Sequence, residues 1–191
     1  MSRCLTKFFG MEASLIERAV RLAVSAHAGQ KRKEADIPYI VHPVMVALLL
    51  TRHGFSETII AAALTHDVLE DSTLSPTVFI EHLGMDVFEI VNALTDDHDL
   101  PWEEKKLKYI EHVRMGAEGV KAVAVADKIH NAQSLILAHK KQGASVWQYF
   151  NRGREKKIWF EEALLKALKE TWSHPLVEEY ETLLGHMRLL N

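Results

Sequence analysis

The chain has a single cysteine among its 191 residues. Cys4 therefore has no partner for an intrachain disulfide, and a zinc-finger array is excluded. A lone thiol fits a reducing cytosol, and we expect no functional role for it. The N-terminal segment carries Lys7 and Glu12 where a secretory signal peptide needs an unbroken apolar core, so we predict a cytoplasmic protein.

The sequence also lacks a strong charge excess and long apolar runs. Lys and Arg number 23 against 26 Asp and Glu, a net charge of −3. Nucleic-acid-binding proteins usually carry a basic excess, so we expect no nucleic-acid partner. Apolar runs such as Val44–Leu50 fall far short of the ~20 residues that span a bilayer, which predicts no membrane anchor. Nothing in the sequence indicates a particular oligomeric state.

Glycine and proline are sparse, with nine and five residues. Helical periodicity covers almost the whole chain and strand alternation is nearly absent, which predicts an all-α protein. Ser75 before Pro76 is typical of a helix N-cap. The hydrophobic content of 48% suffices for one domain over residues 1–191, completed by helices from about Val146. The predicted helices span about Met11–Ala28, Pro43–His53, Ser56–Glu70, Pro76–His82, Met85–Thr95, Pro101–Met115, Glu118–Lys140, Val146–Glu170 and Pro175–Leu190.

The segment IIAAALTHDVLED, Ile59–Asp71, ends an apolar helix with one histidine and three carboxylates. On a continuous helix His66 and Glu70 share a face, as do Asp67 and Asp71, about 5.4 Å apart. His66 and Asp67 could reach one metal ion, while Glu70 and Asp71 could hold a water beside it. The alternative is an ordinary solvated helix end. Against it, the preceding apolar run indicates a buried helix, where carboxylates are rare unless paired or bound to metal.

Two further residues complete a possible ligand set. His42 precedes Pro43 at a helix entrance, and Asp127 follows the apolar run AVAVA. Each has a structural alternative, His42 as an N-cap and Asp127 as the partner of Lys128 or an arginine. Together with His66 and Asp67, they would form a mixed nitrogen and oxygen set suited to manganese, iron or zinc, without a need for redox chemistry.

Basic residues fall into two groups. The runs in 103–108 and 154–157 are typical of solvated helix faces. The cluster Lys31, Arg32 and Lys33 instead follows a predicted helix end and precedes a turn at 35–38, so we predict that it lies on a loop, where binding residues concentrate.

The order H…HD…D resembles the HD superfamily. The segments AHAGQKRK, PYIVHP, ALTHDVLEDS, LGMDVFEIVNALTDD and VADKIHN resemble the hydrolase domain of the Rel/Spo alarmone enzymes. The resemblance runs from about Ala19 to Tyr149, and LTDDHDLP is similar to the small, stand-alone alarmone hydrolases. It implies an HD-type bundle of about eight to ten helices without a synthetase domain.

The resemblance also implies roles for individual residues. A single manganese ion would be held by His42, His66, Asp67 and Asp127. The attacking water would be positioned and activated by Glu70 and Asp71. The nucleotide would be bound by Arg32 and Lys33 at its base and charged groups, by Asn131 and Ser134 at the nucleoside, and by Tyr149. His27 and Gln30 would support the site without contacting the substrate.

The sequence departs from the family at two basic positions, where it has Ala124 and Gln133. Phosphate contacts could come instead from Lys105, Lys106 or Lys128, for which solvated positions are the alternative. Three functions therefore stay open: an alarmone 3′-pyrophosphohydrolase, another nucleotide phosphohydrolase acting on a nucleoside monophosphate or the 2′-phosphate of NADPH, and a non-enzymatic nucleotide sensor. The intact pair of Glu70 and Asp71 disfavours the sensor, which needs no water-activating carboxylates.

Overall fold

The structure is a computed structural model that describes residues 13–33, 36–96 and 99–191. Within these ranges the chain forms ten α-helices, one 3-10 helix and no strand, which confirms the all-α prediction. No helix in the described ranges is long and apolar enough to cross a membrane. Some of the predictions concern residues outside the described ranges. These residues are Cys4, Lys7, Met11, Glu12, Ala35, Asp97 and His98.

The α-helices follow one another along the chain with short connections. They are α1 (Leu15–Ala26), α2 (Val41–Arg52), α3 (Glu57–Thr65), α4 (Val68–Asp71), α5 (Pro76–Leu83), α6 (Met85–Leu94), α7 (Trp102–Met115), α8 (Glu118–Gln142), α9 (Gly153–Thr171) and α10 (Pro175–Arg188). The 3-10 helix, Gly143–Tyr149, joins α8 to α9.

Serine N-caps begin three of these helices. The hydroxyl oxygens of Ser14, Ser56 and Ser75 each accept a hydrogen bond from the backbone N–H three residues later. Each bond satisfies a donor that the first helical turn leaves unpaired. The predicted N-cap at Ser75, with Pro76 in the first turn, is confirmed.

Helix α2 begins at Val41, two residues before the predicted start. His42 therefore lies inside the first turn and is not the N-cap. The predicted helix Val146–Glu170 is also wrong in its first part, because the 3-10 helix reaches Tyr149 and α9 begins only at Gly153.

The predicted helix Ser56–Glu70 is interrupted at His66 and Asp67. The His66 Nδ1 atom lies 2.8 Å from the carbonyl oxygen of Ala63. In a continuous helix that carbonyl would accept the backbone N–H of Asp67, so the imidazole competes with the helical hydrogen bond. The interruption turns both side chains toward the same interior point while the backbone N–H of Asp71 still donates to the carbonyl of Asp67 at 2.8 Å.

Helix α8 forms the centre of the bundle. Nearly every residue from Gly119 to Ile129 is buried, including the carboxylate of Asp127. The helix contacts α2, α3, α6, α7 and α10. A helix that is apolar all round is typical of a protein core, and its position here brings α2, α3 and α8 against one another.

The C-terminal helices pack on the same core. Helix α10 contacts α8 and α9, and α9 contacts α7. We therefore propose that residues after Val146 complete one domain with the rest of the chain.

Two leucines on α8 give a matched test of this core. Leu135 is 1% exposed and Leu137 is 58% exposed. We expect Leu135→Ala to lower the free energy of unfolding by about 2–5 kcal/mol, because it removes buried methyl groups and leaves a cavity. The control Leu137→Ala should change it by less than about 0.5 kcal/mol. Urea denaturation measures both, and equal losses would contradict the buried position of Leu135.

Candidate metal centre and nucleotide pocket

Four predicted ligands converge from three parts of the fold. His42 comes from the first turn of α2, His66 and Asp67 from the interruption between α3 and α4, and Asp127 from α8. The His42 Nε2 atom is 3.0 Å from Asp127 Oδ1, and the His66 Nε2 atom is 3.0 Å from Asp67 Oδ2. The two crossed distances, His42 to Asp67 and His66 to Asp127, are both 3.8 Å. Ligand atoms of His42, His66 and Asp67 lie within 4.8 Å of one another, and Asp127 lies beside both histidines.

The donor set fits a divalent cation. In the described part of the chain, His66 Nε2 is buried and has no hydrogen-bond partner, while Nδ1 of the same ring is held by the carbonyl of Ala63. With the Nδ1 proton donated to that carbonyl, the Nε2 lone pair would be available to a cation between the ring and the carboxylates. A buried polar atom without a partner is costly, and a cation at this point would coordinate it. Two imidazole nitrogens and two carboxylates suit manganese, iron or zinc.

The electrostatics of the cluster favour a cation. Burial opposes charge on Asp67, yet the positive charge of the protonated His66 ring beside it holds the pKa of that carboxyl well below its usual range. Burial likewise opposes charge on Asp127, where the Lys128 ammonium lowers the pKa. Burial lowers the pKa of His42, whereas at His66 the charges of Asp67 and Asp127 outweigh burial and raise the pKa to about 9. The structure thus keeps two ionised carboxylates together in the interior.

Two residues that were not predicted hold the ligands in place. The Nδ1 atom of His130 lies 2.7 Å from Nδ1 of His42, on the far side of the ring from the ligand atom. The hydroxyl of Tyr39 donates to Asp67 Oδ2 at 2.5 Å. His130 lies three positions after Asp127 on α8, a helical spacing that could have identified it, whereas Tyr39 lies in the turn before α2.

Only one of the two predicted water-activating carboxylates lines the cavity. Glu70 lines the cavity beside the metal centre and accepts the backbone N–H of Asp96 at 3.2 Å. Burial and the nearby charge of Asp96 raise the pKa of Glu70. Asp71 is exposed and is not among the residues that line the cavity, although burial of its carboxyl group and the charge of Asp67 raise its pKa as well. Geometry therefore favours Glu70 as the proton acceptor, and the role of Asp71 stays a prediction.

The cavity beside the acidic cluster has a volume of about 290 Å³, and its lining includes several cations. The predicted substrate residues Arg32, Lys33 and Asn131 all line it. Arg32 Nη2 donates to Asn131 Oδ1 at 2.7 Å, and the Asn131 amide in turn donates to Asp127 at 2.5 Å. Arg32 also lies 5.6 Å from the centre of the Tyr39 ring. This chain of contacts connects the predicted base-binding residues directly to the metal centre.

Two predicted substrate residues lie outside this cavity. Ser134 is half-buried on α8 and lines no part of it. Tyr149 lines a second cavity of about 530 Å³, and its hydroxyl donates to Gln142 at 2.7 Å. The two cavities share several wall residues, so a ligand that fills both would reach Tyr149. The roles of Ser134 and Tyr149 stay predictions.

Several lysines interpreted as solvated lie in the cavity wall instead. Lys106 and Lys157 both line it, as does Lys128. Lys106 donates to Asp96 at 2.5 Å, and Lys128 to Asp127 at 2.7 Å. The solvated interpretation of the two charge runs is therefore wrong for Lys106 and Lys157, whereas Lys105 lines neither cavity. At the two departures from the family, Ala124 forms an apolar part of the wall and Gln133 is absent from it.

Comparison with known proteins shows the family of the chain. Residues 19–155 match the family described as HD domain, and this match includes all four predicted ligands. The chain belongs to the HD-domain family. Its predicted resemblance to HD-superfamily alarmone hydrolases is confirmed.

Named relatives and solved structures make the family assignment more specific. Proteins named guanosine-3′,5′-bis(diphosphate) 3′-pyrophosphohydrolase MESH1 are 38% identical over 127 residues in Xenopus tropicalis and 36% identical over 129 residues in Homo sapiens. The alignments cover 65% and 66% of this chain and 71% and 72% of those proteins. A crystal structure from Listeria monocytogenes EGD-e is 33% identical, with a TM-score of 0.71 over 76% of this chain and 97% of the other. A metazoan ortholog of SpoT shares the fold at 24% identity, with a TM-score of 0.78 over 94% and 99% of the two chains.

The metal centre can be tested with two cavity carboxylates that each pair with a lysine. We expect Asp127→Asn to weaken manganese binding by about 100-fold or more, because it removes a charged ligand. Asp96→Asn, which alters a carboxylate held by Lys106 away from the cluster, should leave manganese affinity within about threefold. Calorimetric titration of chelator-treated protein measures both, with circular dichroism as the folding control. Equal weakening by the two variants would contradict the assigned ligand set.

Proposed function

We propose that this chain is a metal-dependent guanosine-3′,5′-bis(diphosphate) 3′-pyrophosphohydrolase. The observation that carries the proposal is the meeting of four potential ligand side chains with a half-buried Glu70 in one cavity whose lining also includes several cations. The relatives from Xenopus tropicalis and Homo sapiens carry the name of this activity. We propose that the protein acts in the cytoplasm on an alarmone of the stringent response.

The metal ion, manganese in this proposal, would be held by His42, His66, Asp67 and Asp127. When bound, it supplies a Lewis acid that lowers the pKa of water and stabilises charge on phosphoryl oxygens. His130 and Tyr39 orient His42 and Asp67 through the contacts at 2.7 and 2.5 Å. Fixed ligands of this kind keep the substrate phosphorus and the water in one geometry.

Glu70 is the proton acceptor in this proposal. A general base works best when its pKa approaches the operating pH, and burial with the Asp96 charge raises the pKa of Glu70 in that direction. The backbone N–H of Asp96 fixes the orientation of the carboxylate. Asp71 would serve as a second acceptor at the exposed edge of the site, from which protons reach solvent.

The cationic wall accounts for the anionic substrate. Arg32, held by Asn131 and Tyr39, and Lys33 would contact the guanine base and charged groups. Lys106 and Lys128 each have a carboxylate partner in the wall, so their ammonium groups are held in place before substrate arrives. Water attack on the 3′ diphosphate would release pyrophosphate and leave GDP, or GTP from the pentaphosphate, without a covalent enzyme intermediate.

A panel of nucleotides with manganese tests the proposal. We expect pyrophosphate from guanosine tetraphosphate, measured by ion chromatography of the products. Orthophosphate from NADPH or a nucleoside monophosphate, without pyrophosphate from the tetraphosphate, would contradict this substrate and favour a different phosphohydrolase. Saturable nucleotide binding without any turnover would contradict an enzymatic role.

The role of Glu70 has its own test. We expect Glu70→Gln to keep manganese affinity while lowering kcat by about 10²–10⁴-fold, because the amide cannot accept the proton. The control Glu89→Gln changes an exposed glutamate on α6 and should keep the wild-type rate. Steady-state kinetics at full manganese occupancy measure kcat for both variants. A wild-type rate in Glu70→Gln would assign the proton to another group.

A further inference from the structure

A second buried carboxylate lies behind the cavity wall. Glu161 of α9 is 1% exposed. One of its oxygens accepts a hydrogen bond from Lys157, one helical turn earlier, and the other accepts the hydroxyl proton of Tyr180 from α10. The Tyr180 hydroxyl also lies 3.2 Å from the backbone oxygen of Glu161. We call these three residues the C-terminal clamp, and all three lie beyond residue 155, where the HD-domain match ends.

Stability alone gives little reason for the clamp. A buried ion pair loses much of its Coulombic gain to desolvation, and well-packed apolar residues often do as well. Tyr180 is fully buried, and burial together with the charge of Glu161 raises the pKa of its hydroxyl, so it remains a hydrogen-bond donor. The clamp therefore fixes the direction of one particular cation, the Lys157 ammonium.

Lys157 is fixed at the boundary between the two cavities. It lines the metal cavity and also the adjoining cavity of about 530 Å³, and its Nζ lies 5.4 Å from the centre of the Phe150 ring. An ammonium has three donors, so it can hold Glu161 and an anionic ligand together. The adjoining cavity has no carboxylate among its described lining residues, and its cations are Lys33, Lys106, Lys128, Arg152 and Lys157.

Among these cations, Lys157 has a distinct partner. Lys106 and Lys128 pair with Asp96 and Asp127, which both line the metal cavity. The partner of Lys157, Glu161, lines neither cavity. Lys157 therefore brings its positive charge into the wall without an accompanying wall carboxylate, which makes it suited to a phosphate group.

We propose that Lys157 binds the phosphate group of the substrate that does not react, with Glu161 and Tyr180 as its positioning residues. The reacting phosphorus must lie at the metal ligands, so a phosphate group elsewhere on the same nucleotide extends into the adjoining cationic cavity. This assignment rests on the proposed function, in which that group is the 5′ diphosphate. Lys157 is then a specificity residue, because it distinguishes nucleotides that carry a 5′ diphosphate from those that lack it.

Kinetics with two substrates test the assignment. Lys157→Met should raise KM for guanosine tetraphosphate about 10-fold, the loss of one charge-assisted hydrogen bond, with kcat within about threefold. KM for guanosine 3′-diphosphate, which has no 5′ phosphates, should stay within about twofold. The matched control is Lys156→Met, because Lys156 pairs with Glu103 at 3.1 Å and lines neither cavity. An unchanged KM, or an equal rise for both substrates, overturns the proposal.

Companion variants separate positioning from folding. Lys157→Met/Glu161→Gln removes the unpaired buried charge that Lys157→Met leaves, and it should show the same selective rise in KM. Lys157→Arg keeps the charge and should restore KM to within about threefold of wild type. Tyr180→Phe removes only the hydroxyl and should raise KM for the tetraphosphate about threefold, without a change for guanosine 3′-diphosphate. A rise for both substrates in Tyr180→Phe would mean a structural role alone.

Binding without turnover distinguishes this proposal from the proposed function. GDP and guanosine can be titrated by tryptophan fluorescence, since Trp102 lines the adjoining cavity. Lys157→Met should weaken GDP binding about 10-fold and leave guanosine binding unchanged. If the wild-type protein releases no pyrophosphate from the tetraphosphate, the proposed function fails, while the GDP result still decides the role of Lys157. Equal GDP affinity in wild type and Lys157→Met overturns that role.

Discussion

The burial of Asp127 in the central helix is the constraint on which the site depends. Helix α8 is otherwise apolar at this level, and an ionised carboxylate there is costly unless other groups compensate it. His42 Nε2 and the Asn131 amide lie 3.0 and 2.5 Å from one oxygen of Asp127, and Lys128 lies 2.7 Å from the other. The contact with His42 joins α2 to α8. Through Asn131, the same carboxylate is also connected to Arg32. The metal centre and the nucleotide pocket are therefore built around one buried charge.

The cavity lining carries charges of both signs. Asp67 and Asp127 make the ligand cluster negative, which attracts a divalent ion. The lining also carries lysines: Lys106 and Lys128 pair with carboxylates of the same wall, and Lys157 pairs with Glu161, which lines neither cavity. In the proposed function, one phosphate group of the nucleotide would meet the ion while another would meet these cations. Preorganised charges of this kind stabilise developing charge without reorganising during the reaction.

The ligand set could be predicted from sequence because each ligand interrupts or follows a strongly apolar helical pattern. A charged or titratable residue in such a pattern must be buried, and only a few chemical solutions allow that. The break at His66 could not be predicted, since it depends on a side-chain contact with Ala63 that competes with the helix. Periodicity predicts an unbroken helix wherever apolar residues recur.

The cationic wall was largely missed for a different reason. Lys106 and Lys157 belong to charge runs that look like solvated helix faces, and only tertiary packing of α7 and α9 brings them to the cavity. Their partners, Asp96 and Glu161, do not form a sequence motif with the metal ligands. His130 was closer to prediction, because it lies one helical turn after Asp127 on α8, whereas Tyr39 lies in the turn before α2. Local patterns therefore pointed to the candidate metal centre, while several residues of the cavity wall come from positions distant in sequence.

One measurement tests the central claim most directly. Crystals of the protein grown with manganese can be measured at the manganese absorption edge, where anomalous scattering locates the ion. The account predicts a single peak per chain in contact with His42, His66, Asp67 and Asp127 together. A peak bound elsewhere, or a fully ordered site with no peak in saturating manganese, would contradict it.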